Sequence, residues 1–152
     1  MAKLDSQNNY YPPVGFYFQV AIQGISGINE GNFQEVSGLN VKIGVEEVKE
    51  GGETRFVHRL PTPPKYENLV LKRGMLLGSP LIAWVKTSIE SFTFTPKTVY
   101  VKLLDEKKTP IAVWSFVNAY PVAVKISDFK AQENAIAIET LELAFSYFVK
   151  VK

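Results

Sequence analysis

A mainly β domain carrying one helix is the fold class this sequence predicts, and three observations carry it. Apolar residues alternate with polar ones at period two along most of the chain. Only the window from Leu81 to Ile89 spaces them as a helix does. Glycine, proline and aspartate clusters separate about seven or eight such strand-like segments. A β-barrel-like fold or a two-sheet sandwich with one helix, at about residues 80–90, accommodates that set. With 152 residues, 46% of them hydrophobic, one domain with a substantial core is expected.

Residues 1–15 read as a polar arm ending in Pro12, Pro13 and Gly15, and residues 16–152 as the single domain. Phe16, Phe18, Val20 and Ile22 alternate with Tyr17, Gln19, Ala21 and Gln23 in a first strand, which Gly24, Gly27 and Gly31 close with a turn. Phe33 to Val36 and Val41 to Val48 are the next strands, with Ser37-Gly38 between them supplying a turn or bulge. From Glu46 to Arg59, seven charged residues and His58 surround Gly51-Gly52, the composition of an exposed hairpin or long loop. Pro61, Pro63 and Pro64 predict a stiff connection into a short strand from Asn68 to Lys72.

Ser79 suits a helix N-cap and Pro80 the first helical position. Leu81, Ile82, Trp84, Val85 and Ile89 form the apolar stripe behind them. Phe92-Thr93-Phe94-Thr95 favours extended backbone, so the helix stops near Ser91. Thr98 to Leu104 and Ile111 to Asn118 predict a hairpin, the second strand central because both its faces are apolar. The last apolar stretch, from Ala135 to Val151, changes parity between Ile136/Ile138 and Leu141/Leu143, which predicts a β-bulge at Glu139-Thr140.

Composition excludes several functions. A net charge of +2 with 21% charged residues lacks the basic excess of a dedicated nucleic-acid binder. Without cysteine there is no thiolate metal site, Cys nucleophile or disulfide framework, and an intracellular folding compartment is expected. The polar start lacks the apolar run of a signal peptide, and no run reaches membrane-spanning length, so a soluble product is expected. His58, the lone histidine, has no local carboxylate–nucleophile set to work with. The Glu46, Glu47, Glu50 and Glu53 cluster lacks the alternating Asp/Asn pattern of a calcium loop. Gly24-Ile25-Ser26-Gly27 lacks phosphate-loop spacing. No cofactor, metal site or catalytic set is predicted.

Two features point to self-association. Lys65, Lys72 and Arg73, beside Tyr66, form a modest basic patch suited to an ion pair at a subunit interface more than to a phosphate backbone. Long strands at either end of the domain carry little that would blunt an edge, so sheet continuation between subunits is expected.

The order of several segments resembles the inner tail-tube proteins of contractile phage tails and contractile injection systems. They are Gly31 to Leu39, Glu50-Gly51-Gly52, Leu60-Pro61, Lys65 to Leu69, Leu71 to Gly74, Leu81 to Trp84, Leu103 to Glu106, Trp114, Asn118 to Pro121 and Ala137 to Leu143. The fold is also similar to that of the haemolysin-coregulated proteins of type VI secretion. The resemblance implies a non-enzymatic subunit forming hexameric rings, stacked into a tube inside a sheath. Baseplate, spike and terminator proteins are its implied partners, and protein or DNA its cargo. It implies assembly in the bacterial cytoplasm as part of a virion or injection particle, whose tube is expelled on contraction.

By position, the loop reaching neighbouring subunits and rings is Glu46, Glu47, Lys49, Glu50, Gly51, Gly52, Glu53, Arg55, His58 and Arg59. Gln19, Gln23, Lys42, Lys102 and Glu142 are polar strand positions expected to line the lumen. The turn at Lys107-Lys108 lacks the family's glycine, and the terminus from Phe145 to Lys152 departs from its usual short tail. A tube-initiator or terminator ring subunit therefore stays open. A monomeric small-ligand-binding β-barrel is the reading from another class.

Overall fold

The computed structural model describes residues 17–25, 33–132 and 136–152. The N-terminal arm, Phe16, Gly27, Gly31 and Ala135 lie outside these. Along the chain come β1 (Tyr17–Ile22), β2 (Glu35–Ser37), β3 (Val41–Val48), β4 (His58–Tyr66) and β5 (Leu69–Gly74). Then follow α1 (Pro80–Glu90), β6 (Lys97–Leu104), β7 (Pro110–Ile126), β8 (Ile138–Ala144) and β9 (Tyr147–Lys150). Among the described residues seven strands join in the order β1-β6-β7-β8-β5-β2, with β9 also on β7, while β3 and β4 pair only with each other. The chain is mainly β with one helix and two sheets among the described residues, as predicted. Among the described residues the larger sheet stays open, which fits a sandwich and not a closed barrel.

β7 organises the molecule. It is central, as its two apolar faces predicted, but it runs eight residues beyond Asn118. Its first half pairs with β6 on one edge and β9 on the other, and its second half pairs with β8. Asn118 marks the change with φ 55, a left-handed conformation that asparagine tolerates better than most residues. The strands alongside it break at the same place, between β8 and β9. There the Ser146 backbone N–H donates to Val117 O at 2.9 Å, and Asn118 Nδ2 donates to Ser146 Oγ at 3.4 Å. Val20, Val99, Val101 and Phe116 from one half meet Leu69, Leu71, Leu141 and Leu143 from the other in one core.

That corner corrects the reading of the last apolar stretch. The change of parity lies at Phe145–Ser146, not at Glu139-Thr140, and two strands replace the single bulged one. β8 pairs with β5 in unbroken register from Ile138 to Leu143. Glu139, Leu141 and Leu143 all point inward, whereas Ile136 is exposed. A carboxylate occupies a core position because Arg73 neutralises it, a compensation that hydrophobic periodicity does not register.

Pro61, Pro63 and Pro64 are also corrected, since they lie inside β4 instead of forming a connection before a strand. Among the described residues β4 pairs on one side only and its register is irregular opposite Pro61 to Pro64, the two settings in which a strand tolerates proline. Between β2 and β3, Gly38 adopts φ 92 against the Asn68 carbonyl, where an added Cβ would collide. At the β6–β7 turn, Asp105 Oδ1 accepts from the backbone of Lys107 and Thr109 at 2.9 and 2.8 Å. Those bonds hold Lys108 at φ 60, the conformation for which a glycine is usual.

α1 starts at Pro80 after Ser79, as predicted, and buries Leu81, Trp84, Val85 and Ser88. Ser88 takes the inward place expected of Ile89, satisfying its hydroxyl on Trp84 O at 3.0 Å, and Ile89 is exposed. Trp84 Nε1 donates to Thr95 O at 3.0 Å, tying the helix to the segment that follows. That segment forms no strand: Phe92 turns left-handed at φ 49 and ends the helix.

Candidate assembly surfaces

The β3–β4 hairpin projects a sheet with almost no core of its own. Val41, Ile43, Val45, Val48, Phe56, Val57 and Leu60 are exposed on it. A lone two-stranded sheet is marginal in water, so these apolar side chains, with Val41, Ile43 and Val45 on one face and Val48 and Leu60 on the other, require cover. Tyr66 anchors its base, its ring meeting Phe145 and Phe148 edge-on at 5.6 and 5.3 Å. Asn40 Nδ2 donates to Glu67 Oε2 at 2.9 Å beside it.

All ten loop residues singled out from the sequence fall on this hairpin. Glu46 and Glu47 lie on β3, His58 and Arg59 open β4, and Lys49, Glu50, Gly51, Gly52, Glu53 and Arg55 form the tip. Glu47 faces Arg59 across the ladder. Glu50 Oε2 and His58 Nε2 approach to 2.9 Å, and the Phe56 ring stands edge-on to the imidazole at 5.2 Å. Arg55 grips Glu53 through Nε and Nη2, both at 3.0 Å, and through its backbone N–H at 2.9 Å. These bonds hold the Glu53 carboxyl below its ordinary range and raise Arg55 above its own. The tip is thus a bonded turn, and among the described residues no cluster of acidic or histidine side chains can hold a metal.

Lys65, Lys72 and Arg73 do not form one patch. Lys65 stands opposite Lys42 on the hairpin, a like-charge pair across the ladder that is unfavourable by itself. Lys72 faces outward from β5 and bonds Glu35 at 3.4 Å. Arg73 alternates to the interior, where it is 1% exposed, and so leaves the proposed interface. Its Nε donates to Glu139 Oε2 at 3.0 Å and its Nη2 to Ser79 Oγ at 2.9 Å, and its guanidinium lies 5.4 Å from the Phe33 ring centroid. Ser79 therefore spends its hydroxyl on Arg73 and makes no side-chain cap bond to the helix. The signal for this ion pair was present in the sequence: Glu139 shares the parity of Leu141 and Leu143.

The polar strand positions divide. Gln19 and Lys102 are register partners on the outer face of β1 and β6. Glu142 occupies the outer face of β8 and accepts from Asn68 Nδ2 at 2.7 Å. Gln23 Oε1 accepts from the Thr98 backbone at 3.3 Å, beyond the end of β1. Lys42 belongs to the separate hairpin sheet. Sequence reasoning passed over a further apolar surface, the ledge where Phe92, 81% exposed, meets Phe94 edge-on at 5.0 Å and Phe94 meets Tyr120 edge-on at 5.6 Å. Accessible aromatics of this kind are the residue types that anchor protein interfaces.

Comparison with known proteins bears on these surfaces. A family model described as T4-like virus tail tube protein gp19 matches residues 14–149. A chain in the 6-fold symmetrised baseplate of the anti-feeding prophage is 28% identical, with a TM-score of 0.81, covering 93% of this chain and 96% of that one. A chain of the sheath–tube complex of the PVC extracellular contractile injection system, in its extended state, is 24% identical with a TM-score of 0.77, over 92% and 91% of the two chains. Hcp1 from Flavobacterium johnsoniae shares the fold at 16% identity and a TM-score of 0.52, over 90% and 95%. No curated protein sequence matches.

Proposed function

Because the chain belongs to the T4-like virus tail tube protein family, we propose that it is a structural subunit of the inner tube of a contractile injection system or phage tail. Copies close into hexameric rings that stack into a channel. The observation that carries this reading is the β3–β4 hairpin, an exposed apolar sheet that among the described residues pairs with no other strand and is anchored at its base by Tyr66 against Phe145 and Phe148. The work of such a subunit is to polymerise and hold its shape, which requires no active site. A ring needs a head-to-tail contact between different surfaces, because an isologous contact closes after two copies. The open strand edges supply ring contacts, with Lys65 and Lys72 at the interface. The hairpin tip and the residue 1–15 arm supply contacts between rings, the arm preceding a single domain of residues 16–152.

Gln19, Lys102 and Glu142 belong to the outer, polar faces of the large sheet, which suits a channel wall that cargo passes without sticking. Sheath, baseplate, spike and terminator proteins are the partners of this role, and protein or DNA its cargo. The subunit is made in the bacterial cytoplasm, joins the particle there and leaves with the expelled tube. A tube-initiating ring is the second reading, favoured by the 28% identity to a chain of a baseplate assembly. Negative-stain microscopy of the purified chain tests the proposal: rings or tubes are expected, and a monomer at every concentration refutes it. Deleting residues 50–55 should leave a folded subunit that forms no long tubes, and long tubes from the deletant would remove the hairpin tip from stacking.

A further inference from the structure

Among the described residues, unpaired strand edges remain on β1, β2, β3, β4, β9 and the second half of β7. They are not equally able to accept another strand. β4 carries Pro61, Pro63 and Pro64, whose nitrogens have no proton to donate to an added strand. β2 has three residues, and the second half of β7 carries Pro121 and an irregular register between Pro121 and Ala123. β1, β3 and β9 are left as proline-free edges.

Charge selects between them. On β3, Glu46 faces Leu60 across the ladder and makes no ion pair among the described residues. On β9 and just beyond it, Lys150 and Lys152 are exposed and make none either. β1 has no charged side chain from Tyr17 to Ile22. The apolar rows also match, because Val41, Ile43 and Val45 are exposed on one edge, and Tyr147, Val149 and Val151 on the other. We propose that β3 of one copy adds to the free edge of β9 of its neighbour in parallel, with Glu46 beside Lys150 and Val45 beside Val149. In that register Ile43 meets Tyr147, and Lys42 falls at Ser146. An antiparallel register with the same Glu46–Lys150 contact places Lys152 opposite Gly44 and diagonal to Lys42 on the same face, within reach of two long like-charged side chains, which opposes it. The two edges are different surfaces, so the contact is head-to-tail and propagates around a ring in one sense only.

This inference rests on the tube reading, and charge exchange tests it separately. Glu46→Lys and Lys150→Glu should each raise the protein concentration needed for assembly about tenfold or more, the range for a close interfacial charge pair. The double exchange should return it to within about threefold of wild type. Far-UV circular dichroism checks that each variant is folded, and light scattering with negative stain reads assembly. The chain has no cysteine of its own. Val45→Cys with Val149→Cys should therefore cross-link into ladders with a short bismaleimide, more strongly than Val45→Cys with Val151→Cys. Wild-type tubes with indifferent single exchanges, with additive losses in the double exchange, or with the stronger ladder from Val151→Cys overturn this pairing and leave the tube reading standing. A wild-type chain that never assembles overturns the tube reading itself.

Discussion

Replacing Arg73 by methionine keeps most of the side chain's volume and removes its charge, and the consequence can be worked from its surroundings. Arg73 is 1% and Glu139 5% exposed, so the substitution leaves a carboxylate in the interior without its cation. Breaking a buried pair from one side costs about 3–5 kcal/mol. Among the losses that accompany it are the Nη2 bond to Ser79 Oγ at the start of α1 and the contact of the guanidinium with the Phe33 ring. For a slope of about 2 kcal/mol per molar urea, that range moves the unfolding midpoint down by about 1.5–2.5 M. Glu139→Leu alone should lose a comparable amount, because it removes the carboxylate that neutralises the buried guanidinium.

The double variant Arg73→Met/Glu139→Leu decides the matter. Independent effects would sum to about 6–10 kcal/mol, whereas an apolar replacement of the whole pair is expected within about 2 kcal/mol of wild type. Urea unfolding monitored by Trp84 and Trp114 fluorescence, at protein concentrations below assembly, measures all four proteins. A loss under about 1 kcal/mol in Arg73→Met, or additive losses in the double variant, would refute the argument that this pair is a mutually dependent unit of the core.

The remaining predictions address the backbone and the hairpin tip. Asn118→Ala should lose about 1–2 kcal/mol in the same urea assay, since φ 55 strains a side chain without asparagine's local bonding, and Asn118→Gly should lose less. Equal losses would argue that the left-handed corner is not the cause. Gly38→Ala combines φ 92 with the collision at Asn68 O, and a loss above about 1 kcal/mol is expected; a neutral outcome would mean the β2–β3 turn can move. Arg55→Ala should raise the Glu53 carboxyl toward its ordinary value, read by NMR titration. The depressed folded value means that the turn's added order is present above the unfolded value and fades as pH falls through the folded one. An unchanged titration in the variant would remove Arg55 as the cause.

Much of the fold was legible because its determinants are short-range. Alternation at Phe18 to Ile22, the Asp105 turn between β6 and β7, and the Ser79-Pro80 start each depend on residues within one or two turns of chain. The charged stretch around Gly51-Gly52 was equally readable as an exposed excursion, and the prolines misled only because they usually end strands. What misled elsewhere was a charged residue on an inward position. Arg73 was read as surface and Glu139 as part of a bulge, because each looks misplaced until the other is beside it.

By itself the sequence determined the strand-and-turn vocabulary, the single helix, the exclusion of cysteine chemistry and, through the order of its segments, the family resemblance. Only the tertiary structure decided that β7 bends at Asn118 while its partner breaks at Ser146, that the prolines guard one edge of a free-standing hairpin, and that Arg73 meets Glu139 across 66 positions. The reason is physical. Local conformation follows from sterics and hydrogen bonding among near neighbours, whereas pairing order and buried charge are settled by free energies that exist only once distant segments have excluded water together.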